Sequence, residues 1–135
     1  MSLFTAANLI LSLSSIFLAF LVFFNAKTRA HWLWGIFNIC VAIYGIGLLV
    51  VGITDSYQVA LWGWKVAIFG VASLGMFSRL VVSEFCQFNN RKLWDRAAIV
   101  HGTLFALATL MTDFVFHSMR FVFNDFYYYQ AGIGW

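Results

Sequence analysis

Two stretches without a charged side chain, Leu3 to Phe24 and Trp32 to Ile53, constrain this chain more than anything else in it. At 1.5 Å per helical residue, each is about as long as a helix must be to cross a hydrocarbon core roughly 30 Å thick. In lipid every backbone N–H and C=O must be satisfied within the segment, so such a run folds as a helix. A third run, about Val59 to Val82, carries only Lys65 and Arg79 as charges. A fourth, about Ala97 to His117, carries Asp113 together with His101 and His117. The expected fold class is therefore all-α, a polytopic membrane helical bundle of four transmembrane helices, about 3–24, 32–53, 59–82 and 97–117. Residues 118–135 are expected to form an outer aromatic loop. Composition agrees: charged residues make up 10% of the chain, against about 25% in a soluble domain.

Sidedness turns on the polar interval Arg91-Lys92-Leu93-Trp94-Asp95-Arg96, with Glu84 upstream. Together with Lys27 and Arg29 after the first run, it puts five basic residues on the loops of one side. The segments of the other side hold Arg120 alone. Basic loops stay in the cytoplasm, so the N-terminus is expected outside. No basic stretch precedes the first run, which argues against a cleaved signal peptide. The net charge of +3 is spread over segment ends and forms no basic patch interleaved with exposed aromatics. Nucleic acid is therefore not an expected partner. The lipid bilayer is, in the cell membrane, and the prokaryotic plasma membrane is the setting that the likeness described below implies.

Within the third run Ala60, Gly63, Ala67 and Gly70 recur in steps of three and four. They share one helical face, a surface suited to close helix approach in lipid; a homo-oligomer is expected as well. Gly63, Ala67 and Gly70 are accordingly candidate packing or sensing residues. Tyr127, Tyr128 and Tyr129 of the aromatic tail are candidate sensing residues.

Catalytic and cofactor chemistry is not evident. There is no phosphate-binding glycine loop, zinc-ligand spacing or nucleophile elbow. Neither catalysis nor a cofactor or metal is expected. Cys40 and Cys86 lack a paired spacing and read as free thiols. His31 and His101 fall toward the same side on different helices, where a bis-histidine haem site is conceivable, although chance placement explains both. Hydrogen bonding inside the bundle is the expected state of His101. Lys65 is expected to snorkel outward in preference to serving as a ligand counter-charge. Asp113 and His117, four apart, are expected to pair on one helix face.

The sequence also resembles the N-terminal half of the seven-transmembrane input region of prokaryotic sensor histidine kinases. The likeness spans nearly the whole chain. It rests on the basic loop Asn25 to Arg29, the pattern Leu61-Trp62-Gly63-Trp64-Lys65 with Gly70 behind it, and the run from Met76-Phe77 to Phe85. Its best piece is Phe126-Tyr127-Tyr128-Tyr129-Gln130-Ala131-Gly132, similar to an outer-loop signature that introduces a fifth helix. The resemblance implies a non-catalytic signal-input segment, part of a longer input domain whose remaining helices and output domain lie outside this chain. None of His31, His101 and His117 stands where a phosphoaccepting histidine would, because each lies in or beside a membrane helix. The competing reading is a stand-alone four-helix membrane scaffold or anchor subunit of a larger complex.

Overall fold

The computed structural model describes residues 2–86, 91–111, 116–122 and 126–131. Four helices, α1 (Leu3–Phe24), α2 (Arg29–Ile53), α3 (Tyr57–Cys86) and α4 (Arg91–Met111), precede two strands, β1 (Phe116–Val122) and β2 (Phe126–Ala131). The first three helices are long and apolar enough to cross a membrane.

Local chemistry sets the helix ends. The Ser2 hydroxyl accepts the Thr5 N–H at 3.2 Å and starts α1. The Thr28 hydroxyl accepts the His31 N–H at 3.4 Å. That cap starts α2 at Arg29, three residues before the tryptophan at which the apolar pattern begins. Helix α3 extends past both ends of its apolar run and spans 30 residues, about 45 Å of rod. With no proline in the chain, nothing forces a kink in it.

The fourth helix departs from expectation. It is described from Arg91 to Met111, where 97–117 was expected; residues 87–90 and 112–115 lie outside the described ones. The charged turn Arg91 to Arg96, expected as part of a loop, is helical. His117 lies in β1 and not in a helix; Asp113, its expected partner, lies outside the described residues.

The tail is also more regular than the expected loop. Strands β1 and β2 pair antiparallel, with Val122 opposite Phe126, Phe121 opposite Tyr127, Arg120 opposite Tyr128 and Met119 opposite Tyr129. The expectation of helices alone thus gains a two-stranded hairpin.

Helix α1 packs on α2, α2 on α3 and α3 on α4. The helices of the expected bundle therefore lie in a row in chain order. The α1–α2 seam is lined by small polar side chains. Thr5, Asn8, Ser12 and Ser15 are buried along one face of α1, followed by Ala19. Two of them bond within the helix: the Asn8 amide donates to the Phe4 carbonyl (2.9 Å) and the Ser12 hydroxyl to the Asn8 carbonyl (2.7 Å). Thr5 reaches across and donates to the Gly52 carbonyl at 3.0 Å. Opposite this face, a Cβ on Gly45 would stand 2.5 Å from Ser12 Oγ. Small residues on both sides let the two backbones approach, and packing drives association in lipid.

Candidate functional site

The site is built on the seam between α2 and α3. Gly63, Ala67 and Gly70 all face α2 and are buried, as is Ala60. A Cβ on Gly70 would lie 2.7 Å from the Tyr44 backbone nitrogen and 3.0 Å from the Cys40 carbonyl oxygen. One on Gly63 would lie 2.9 Å from the Gly47 carbonyl oxygen. The partner surface on α2 is Cys40, Tyr44, Gly47 and Val51, and its key position is Gly47. There a Cβ would meet the Ala67 nitrogen at 2.5 Å and the Gly63 carbonyl oxygen at 2.6 Å. Backbone thus rests on backbone, with Leu48, Val51, Trp64, Ala67 and Ile68 packed around it as the main core.

The hairpin docks at the end of this seam where α2 turns into α3. Trp64, two turns into α3, is 7% exposed, and its indole N–H donates to the Tyr127 carbonyl at 2.8 Å. The Tyr128 ring meets the Trp64 ring edge to face, centroids 5.7 Å apart. Tyr127 does the same with Tyr57 at 6.0 Å, and its hydroxyl donates to the Asp55 carbonyl at 3.3 Å. Strand β2 therefore lies alongside the first two turns of α3 and spans back to the α2–α3 turn. Tyr127 and Tyr128 belong to this cluster; the backbone of Tyr129 continues β2, and its side chain lies outside the described set. Lys65 is buried beside the cluster, its Nζ 5.4 Å from the Trp62 ring centroid. Trp62 precedes it by three residues, toward the end to which Lys65 was expected to snorkel.

At the other end of the row the charges gather. Glu84 of α3 pairs with Arg29 of α2 (3.7 Å) and Arg91 of α4 (3.4 Å), tying three helices at one level. Ser83 and Asp95 are buried nearby, and the Ser83 hydroxyl and one Asp95 carboxylate oxygen make no hydrogen bond among the described residues. Arg79 stacks over the Trp94 ring, 5.8 Å from its centroid.

The two histidines weighed for haem stay apart. His31 caps the start of α2, its Nδ1 accepting the Lys27 N–H at 3.3 Å, and lines a groove with Thr28, Trp34 and Phe85. His101 is exposed in a different groove, between α3 and α4, and makes no hydrogen bond among the described residues. The expected hydrogen-bonded burial of His101 is therefore not observed. Among the described residues no three histidine, cysteine, aspartate or glutamate side chains are grouped as metal ligands. Cys40 and Cys86 are free thiols, the first buried and the second exposed.

No family model matches the chain, and no curated protein or solved structure is similar to it.

Sequence reasoning singled out the α3 face of the seam and the tyrosines, and missed what they meet. Gly47, Tyr57 and Trp64 complete the site, and the polar face of α1 buttresses it from behind. A signal for the last was present, since Thr5, Asn8, Ser12, Ser15 and Ala19 step by three and four.

Proposed function

We propose that this chain is the signal-input segment of a membrane-embedded sensor of the histidine kinase type, with no catalysis of its own. The observation that carries the reading is the continuity of α3. One unbroken 30-residue helix has the docked aromatic hairpin near one end and the Glu84 charge cluster at the other. A ligand or membrane property that favours one docking of the hairpin biases the placement of α3 against α2. A seam of backbone on backbone offers few interlocking side chains to oppose a small shear along the helix axis. An output domain joined beyond the remaining helices reads that bias.

In this reading the basic end faces the cytoplasm of a prokaryotic cell and the N-terminus and hairpin lie outside, which the distribution of Lys27, Arg29, Arg91, Lys92 and Arg96 supports. Helix α4 makes the fourth crossing, and a homo-oligomer forms through faces other than the two small-residue seams, which are buried within the chain.

Cys86 provides the test, because it is exposed at the far end of α3 while Cys40 is buried. A spin label on Cys86 should change mobility when Trp64→Phe removes the indole donor to the hairpin. An unchanged spectrum in both Trp64→Phe and Tyr127→Ala, with helical content retained, would show that α3 transmits nothing.

A second reading, an anchor subunit, is favoured by the outer face of α1. Ile10, Leu13, Phe17 and Phe20 are all exposed there, on a helix with one neighbour in the row. The size of the native polypeptide separates the two. Further helices and a cytoplasmic domain in the same chain support the sensor; a 15.4 kDa chain held in a larger complex supports the anchor.

A further inference from the structure

We propose that the groove between α3 and α4 binds an anionic phospholipid, with the headgroup phosphate on Arg79 and one acyl chain lying over Gly75. The inference needs only that α3 cross the bilayer, and stands or falls apart from the sensor reading.

The groove has a volume of about 310 Å³, and Val71, Gly75, Met76 and Phe105 give it an apolar length. Arg79 and His101 add basic and polar groups toward the end that carries the Glu84 cluster. Its floor is open: a Cβ on Gly75 would meet no heavy atom within 4 Å, whereas one on Gly102 would press on the Met76 side chain at 2.8 Å. The two helices therefore touch at Gly102 and leave a slot beside Gly75.

Charge selects the occupant. Arg79 is exposed and forms neither ion pair nor hydrogen bond among the described residues; its recorded contact is the Trp94 ring. Glu84, the nearest acidic residue along α3, is taken by Arg29 and Arg91. With α3 centred on the bilayer, Arg79 lies about 11 Å from the midplane, inside a hydrocarbon half-thickness of about 15 Å. A guanidinium at that depth requires a counter-charge, and the phosphates of the adjoining leaflet are the nearest source. Basic pockets between membrane helices recognise anionic headgroups in this way. The planar fork of Arg79 suits two phosphate oxygens, and the exposed imidazole of His101 offers a further hydrogen bond. An apolar slot below the charge is what one acyl chain requires, and free phosphate has no use for it.

The full chain, reconstituted in phosphatidylcholine with phosphatidylglycerol bearing a photoactivatable acyl chain, provides the test, with crosslinked peptides mapped by mass spectrometry. Crosslinks are expected on the groove residues of α3 and α4. Arg79→Gln should lower this labelling about tenfold, the worth of one charged hydrogen bond. Gly75→Leu should abolish it by filling the slot, with the fold kept because the new side chain enters open space. Equal labelling by the corresponding phosphatidylcholine probe would overturn the proposal. So would crosslinks confined to other faces, labelling unchanged in both variants, or displacement by inorganic phosphate, which would assign Arg79 to the free ion.

Discussion

Glycines in this protein differ sharply in what they tolerate, because each faces a different kind of atom. At Gly47 an added methyl group meets the backbone of α3, which cannot rotate away. Gly47→Ala should therefore destabilise the fold by about 1–3 kcal/mol, the usual cost of overpacking, read as an earlier midpoint in a denaturing-detergent titration. At Gly35 the methyl meets the Phe23 ring, a side chain able to turn aside, so Gly35→Ala should cost less. Gly75→Ala meets open space and should be neutral, or stabilising by up to about 1 kcal/mol through helix propensity. If all three variants melted together, close backbone approach would not be what holds α2 to α3. Gly63, Ala67 and Gly70 were legible in the sequence because a regular step of three and four marks one face. Gly47 was not. Helix α2 is sandwiched, turning Gly35, Gly45 and Gly52 to α1 and Gly47 to α3, and two interleaved faces leave no single period to read.

At the scale of elements, the docking of the hairpin and the joint at Glu84 differ in kind. Tyr127→Phe deletes the hydroxyl that donates to Asp55 but keeps the ring on Tyr57. It should loosen the hairpin by about 0.5–1.5 kcal/mol, seen as faster proteolysis of the tail, and Tyr127→Ala should loosen it further. Equal rates for wild type and Tyr127→Ala would mean that the tyrosine does not hold the strand. The ion pairs of Glu84 are partly exposed, at 24% for its own side chain. Glu84→Gln should therefore cost about 1 kcal/mol or less at low salt, a difference that screening erases as salt is raised. A salt-independent effect would point to packing instead. The hairpin was hidden from sequence reading by its aromatic content, which also marks membrane interfaces. The available clue was Asn124-Asp125 between two aromatic-rich runs, since Asn and Asp each favour turns. The helical turn Arg91 to Arg96 was hidden for another reason: its charges read as a loop, although α4 includes it.

For the whole molecule, the alternation of helix directions collects the basic residues at one end and the hairpin at the other, and this polarity was legible from charge alone. It predicts how Cys86 reacts. A membrane-impermeant thiol reagent should leave Cys86 unmodified in intact cells and label it in inside-out vesicles. Labelling of intact cells would reverse the proposed orientation. The row arrangement was not legible, since four apolar runs are equally compatible with a closed bundle. What decides it is that α2 and α3 are each buried on two sides while α1 has one small polar face and is otherwise apolar.

Because each helix packs against its immediate predecessor, the order of synthesis is also an order of assembly. As α2 leaves the ribosome, the glycines it turns to α1 find their partners already in the bilayer, and α3 then finds Gly47 waiting. No helix has to be held aside for a partner made much later, so the insertion machinery can release the segments one at a time. Only the hairpin must reach back, to Asp55, Tyr57 and Trp64. It closes over helices that are already in the bilayer.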